Sequence, residues 1–261
     1  MDVFMQSVPI TFMALLLAHL LGDFPLQSEW ISKSKGASLR SLILHGVVHF
    51  ILAWISLLVF TQVRLLSISS QSVVFGYLIV HLLIDKLKNW LTVRKALPDD
   101  CKIFLLDQLF HLIVVAIAAI LLTGSQAGEL IRSVRLSASV KTHILEVAII
   151  YVAVIFGGGY LIRYLTKGLA LDTPAESPAQ LENAGLYIGG IERFLVVTAI
   201  AIQSPALTGL ILTGKSIARF PEFKEARFAE YYLIGTLLSV SLSVIGGIIL
   251  LELLYGTISL R

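Results

Sequence analysis

Eight side chains of metal-ligand type recur in pairs through the N-terminal half of this chain. His19 and Asp23, His45 and His49, His81 and Asp85, and Asp107 and His111 are each spaced i, i+4, which puts both members of a pair on one face of a helix about one turn apart. The pairs also recur as a set: His19 to His81, Asp23 to Asp85, His45 to Asp107 and His49 to His111 are all steps of 62 residues. That recurrence predicts a tandem-duplicated helical hairpin. Gln27 and Asn89, and Lys33 and Lys95, follow the same step, so the equivalence extends to supporting positions. Five histidines and three aspartates supply nitrogen and oxygen donors for two divalent ions, and helix bundles build such centres from inward-facing His and carboxylate pairs. Imidazole and carboxylate without thiolate suit Zn, Mn or Fe. The single cysteine, Cys101, leaves no multi-thiolate site and no intramolecular disulfide. The competing reading is a set of interhelical hydrogen bonds; four pairs in register favour metal.

The surroundings of these pairs make them costly. Of the 261 residues, 57% are hydrophobic and 14% charged, and the mean hydropathy is +0.88, far from soluble globular composition. Ionisable groups in membrane spans mark functional sites by default. Apolar runs near the length of a spanning helix, roughly 17 to 25 residues, recur along the chain, so the predicted fold is all-α, a polytopic transmembrane bundle. The lipid bilayer is its first partner. The first apolar run ends in HLLGDF and has no basic n-region before it, so it is read as a retained helix and not a removable signal. A net charge of +3 is ordinary for a membrane protein with basic cytoplasmic loops, and no nucleic-acid partner is expected.

Helices are predicted at about 7–24, 41–60, 72–91, 103–123, 144–166 and 230–255. Residues 186–218 read either as one span or as a hairpin of two short helices with Gln203-Ser204-Pro205 at its tip. Charge arbitrates, because short cytoplasmic loops collect Lys and Arg. Lys33, Lys35 and Arg40 in one loop and Lys88, Arg94, Lys95 and Lys102 in another lie on one side, while 61–71 holds only Arg64. This predicts an outside N-terminus and a multi-pass protein of about eight segments, since the hairpin keeps Lys215, Arg219, Lys224 and Arg227 inside. The loop with Arg132, Arg135 and Lys141 is the exception. All four pairs then fall on the cytoplasmic side, and Pro25 is expected to end the first helix near Asp23 while the third continues to about Trp90.

Two regions follow: 1–123 with the His/Asp cluster, and 124–261 with a basic cluster. In the second, Arg193, Lys215 and Arg219 can hold an anionic group; alternatively they serve as snorkelling anchors and ion-pair with Glu192 and Glu230. Gly157-Gly158-Gly159 and Gly189-Gly190 read as points of close helix approach. His143, outside the repeat, reads as an interface residue, and Lys86 and Lys88 as positive-inside residues.

The segments AHLLGDFPLQSEWISKSK, HLLIDKLK, GLYIGGIERF and EYYLIGTLLS together resemble an uncharacterised, domain-of-unknown-function family of bacterial integral membrane proteins. The resemblance implies a bacterial inner membrane and spans most of the chain. More distantly, the His/Asp pairs are similar in residue type to those of inner-membrane metal-dependent hydrolases. The leading expectation is therefore a membrane-embedded metal-dependent hydrolase acting at the cytoplasmic face on an anionic, phosphate-containing substrate, a lipid included. A di-iron oxidoreductase acting on acyl chains is the alternative of a different reaction class, although three aspartates make a harder donor set. A divalent-metal transporter or sensor would need a polar path across, and ILAWISLLVF and LIVVAIAAILL on the far side are apolar throughout.

Overall fold

The computed structural model describes residues 8–27, 30–31, 38–124, 140–169 and 184–256. Lys33, Lys35, Arg132 and Arg135 lie outside the described residues. Eight helices and no strand occur among those described: α1 (Val8–Asp23), α2 (Leu39–Phe60), α3 (Ile68–Val93), α4 (Cys101–Thr123), α5 (Val140–Thr166), α6 (Ala184–Ala201), α7 (Ala206–Ala218) and α8 (Ala226–Tyr255). Five of them, α2, α3, α4, α5 and α8, are long and apolar enough to cross a membrane. Helices α1 and α7 are shorter apolar helices.

Local chemistry sets the boundaries. Ser67 caps α3 by accepting from the Ser70 N–H, and Asp100 caps α4 by accepting from the Ile103 N–H at 3.0 Å, each satisfying an orphan donor of a helix start. Gly124 ends α4 and Gly256 ends α8 in the left-handed conformation, where glycine carries no Cβ penalty. Helix α1 stops at Asp23, before Pro25, whereas α3 runs through Asp85 to Val93, as the proline argument expected. The 186–218 stretch is a hairpin: α6 and α7 are joined by a turn at 202–205 in which Gln203 has φ +58°.

The chain divides into two compact units, Met1–Ile149 and Ile150–Arg261. In the first, α1 packs on α2 and α4, and α3 packs on α4 and α2, closing a ring of four helices. Each helix buries a narrow stripe: Ser41, His45, Gly46, His49, Ala53 and Ser56 on α2, and Ser70, Val74, Tyr77, His81 and Asp85 on α3. Large apolar side chains such as Ile55, Leu83, Leu87, Phe110 and Ile117 are exposed. Polar inside and apolar outside inverts the soluble pattern, as a hydrocarbon surround requires. Toward the end of the ring away from the ligands the interior turns apolar, with Ala14, Leu15, Ala18, Ala53, Leu57, Val74 and Val115 packed together.

In the second unit, α6 packs against α7 and α8, and α8 against the end of α5. Helix α5 carries a π-helical segment at Ala153–Gly157.

Candidate metal centre

All eight paired residues are buried in the first unit. The C-terminal turn of α1 brings His19 and Asp23, the first half of α2 brings His45 and His49, and their counterparts come from the end of α3 and the start of α4. Antiparallel packing puts these four stretches at one end of the ring. Gly22 permits the closest approach. A Cβ built there would lie 2.5 Å from Cε1 and Nε2 of His49, so any larger residue displaces a ligand ring that is fully enclosed.

Four donor atoms cluster closely enough to surround one ion. His45 Nε2 lies 3.0 Å from Asp85 Oδ2 and 3.3 Å from Asp23 Oδ1. His81 Nε2 lies 3.3 Å from His45 Nε2, 3.6 Å from Asp23 Oδ1 and 3.7 Å from Asp85 Oδ2. An ion with bonds of about 2.0–2.1 Å in tetrahedral geometry holds its donors about 3.3–3.4 Å apart. These five separations bracket that value, and the two longest exceed hydrogen-bond length. His49 Nε2 approaches the same Asp23 Oδ1 at 3.1 Å, while Asp23 Oδ2 faces His19 Nδ1 at 3.8 Å.

Three overlapping groups are compact enough to hold a metal ion: His19, Asp23, His49 and His81; Asp23, His45, His81 and Asp85; and Asp85, Asp107 and His111. Asp23 and His81 belong to the first two, and Asp85 to the last two. The third group shows what its atoms lack. His111 Nδ1 donates to the Asp107 carbonyl at 2.8 Å, which fixes the tautomer and leaves the Nε2 lone pair free, as a backbone carbonyl commonly does for a histidine that binds metal. That Nε2 and Asp107 Oδ1 are buried without a hydrogen-bond partner among the described residues, as are the Nδ1 atoms of His19, His49 and His81. Buried donors and acceptors are normally satisfied, and His111 Nε2 and Asp107 Oδ1, both members of the third group, are atoms that an ion there could satisfy.

Residues 11–136 match the family model described as Protein of unknown function (DUF3307). The match takes in all eight ligands of the DUF3307 region, whereas the GLYIGGIERF and EYYLIGTLLS segments lie beyond it. No curated protein and no solved structure matches the chain.

Three polar residues of the DUF3307 region, Lys88, Gln108 and Tyr77, join the cluster without having been assigned to it from sequence. Lys88 Nζ donates to Asp107 Oδ2 at 2.8 Å, and Gln108 Nε2 donates to the same oxygen at 3.3 Å. Tyr77 is buried one turn before His81 with its hydroxyl unpartnered. Neither Lys88 nor Tyr77 has a like residue 62 positions earlier, where Leu26 and Leu15 stand; the available signal was their i, i+3 and i, i+4 spacing from Asp85 and His81. Asn89 and Gln27 are half-buried at the ends of their helices. His143 pairs with buried Glu146 at 3.1 Å, within the turn.

The basic residues of the second unit have partners of their own. Arg193 is buried and donates through Nε and Nη2 to the Ile155 carbonyl, at 3.0 and 2.6 Å, a backbone oxygen inside the π segment. Its guanidinium needs the glycines: a Cβ at Gly159 would sit 2.8 Å from Nη2 and one at Gly189 3.1 Å from Nη1. Lys215 Nζ pairs with buried Glu192 and lies 5.3 Å from the Tyr232 ring centroid, so the ion pairing expected for Glu192 is present. Arg219 is half-buried at the end of α7, and Glu230 is exposed.

Proposed function

We propose that this protein is a membrane-embedded, metal-dependent hydrolase with two divalent ions (Zn, Mn or Fe), acting from the cytoplasmic face of a bacterial inner membrane on a phosphate-containing substrate, lipids included. The observation that carries the reading is the division of donors into two overlapping four-residue sets, which share Asp23 and His81, and a three-residue set that meets the second of them at Asp85. Four protein ligands close a site, whereas three leave a position for water or substrate. When bound, the ions supply Lewis acidity toward water and phosphoryl oxygens. The chain does the positioning: Asp85 ties the two sets together, the Asp107 carbonyl orients His111, and the aliphatic stripe around Leu15, Leu57 and Val115 keeps the far end dry. That dry end argues for chemistry at one face over passage across the membrane. The reaction consumes one water, breaks a phosphoester P–O bond and returns the proton to the leaving oxygen.

Elemental analysis of full-length protein purified without chelator, paired with release of inorganic phosphate from soluble and lipid phosphomonoesters, tests this. The expected result is about two Zn or Mn per chain, with His111→Ala retaining about one and losing turnover. About two irons with oxygen-sensitive optical bands would assign the oxidoreductase instead. Protein that never carries metal would reduce the cluster to hydrogen bonds between helices.

The cytoplasmic placement rests on the Lys/Arg asymmetry. In a Cys101→Ser background, a cysteine at Ser34 should be shielded from an impermeant thiol reagent on intact cells, and one at Ser69 should react. The reverse pattern puts the N-terminus inside and the centre at the outer face.

A further inference from the structure

We propose that Lys88 is the anion-holding residue of this centre, taking one phosphoryl oxygen of the substrate while an ion held by Asp85, Asp107 and His111 would take another. The inference rests on the metal-dependent reading above and gives that site its substrate-recognising group. Lys88 stands one turn beyond Asp85 on α3. Its ammonium meets Asp107 at Oδ2, while Oδ1 of the same carboxylate is buried with no hydrogen-bond partner among the described residues and faces His111 Nδ1 at 3.8 Å. The carboxylate therefore faces two ways, one oxygen toward the lysine and one toward the ligand set. Exposure is graded along this line: the Lys88 side chain is 25% exposed, Asp107 5% and Asp85 3%. An anion arriving from water meets the lysine before it meets the ligands.

Reach and valence agree. An ammonium has three donors, and Asp107 uses one. Carboxylate dimensions put Nζ within about 7 Å of an ion on Oδ1. A phosphoryl group with one oxygen about 2.1 Å from the ion and another about 2.8 Å from Nζ spans that interval. A compact point charge on a flexible stem suits a phosphate that must enter and leave. Lys86 is also exposed, but it follows Asp85 directly and so does not share its face.

The test uses full-length protein in detergent micelles, loaded with Zn, and inorganic phosphate as the probe. Metal content and phosphate affinity are read together for wild type, Lys88→Gln, Lys88→Arg and Lys86→Gln. Lys88→Gln should keep its metal and bind phosphate about ten- to a hundred-fold more weakly, the loss expected for one charge-assisted hydrogen bond. Lys88→Arg should retain most of the affinity and Lys86→Gln all of it. A measurement on wild type alone gives the same answer without a variant: phosphate should slow modification of Lys88 by an amine reagent, detected by mass spectrometry, and leave Lys86 unaffected. Unchanged phosphate affinity in Lys88→Gln, or equal Lys88 modification with and without phosphate, overturns the assignment. Loss of metal from Lys88→Gln also overturns it and makes Lys88 a positioning residue for Asp107. Fully loaded wild type that ignores phosphate removes the anion role and leaves the metal reading standing, whereas wild type that binds no metal removes both.

Discussion

Asp85→Ala protein purified without chelator will carry less than about half an ion per chain where the wild type carries about two, because Asp85 belongs both to the set with Asp23, His45 and His81 and to the set with Asp107 and His111. No other single change is expected to affect both sets this way. His111→Ala touches only the three-residue set. His49→Ala touches the group that Asp23 and His81 share with the four-residue set, so it should lower metal content strongly as well. Combining His49→Ala with His111→Ala should not add, as expected for members of one connected network. The stability of the ring follows, since an ion that binds the folded chain stabilises it by mass action; Asp85→Ala should melt at the temperature of chelator-treated wild type. Full metal occupancy in Asp85→Ala would sink the shared-ligand arrangement.

Lys215→Ala should be the most damaging change in the second unit, destabilising it by roughly 3–5 kcal/mol, the cost of leaving a buried charge without its partner. Glu192 is 4% exposed, and its Oε1 has no hydrogen-bond partner among the described residues, so removing the Lys215 ammonium strips the compensation of its other oxygen. Adding Glu192→Gln to the same chain should recover most of the loss, because removing both members of a pair costs far less than removing one. Thermal unfolding of the two variants in micelles, read beside metal content, checks this. If Lys215 serves substrate instead, Lys215→Ala will unfold like wild type, lose turnover, and gain nothing from Glu192→Gln.

The helices and the members of the buried His/Asp cluster were legible because the information that fixes them is local. An i, i+4 pair within an apolar run specifies one helix face whatever the rest of the chain does, so His19 with Asp23 or His81 with Asp85 could be assigned without knowing their neighbours. Pro25 acts on its own helix, and Gln203-Ser204-Pro205 breaks an apolar run that is otherwise continuous, so the end of α1 and the α6–α7 hairpin were equally accessible. Basic residues near helix ends, by contrast, have one composition and several fates. Lys88 read as a positive-inside residue, and only the packing of α3 on α4 set its ammonium against Asp107. The glycines at 159 and 189 read as close helix contacts, yet what fills the space is the guanidinium of Arg193, directed at a carbonyl of the π segment. Sequence thus determined which residues form the His/Asp cluster and on which helix face each lies. Tertiary structure decided that Asp23 and Asp85 are shared between donor groups, that Gly22 makes room for the His49 ring, and which cation meets which carboxylate. Those outcomes depend on the rotation and separation of neighbouring helices, quantities set by the packing of the whole ring and carried by no single segment.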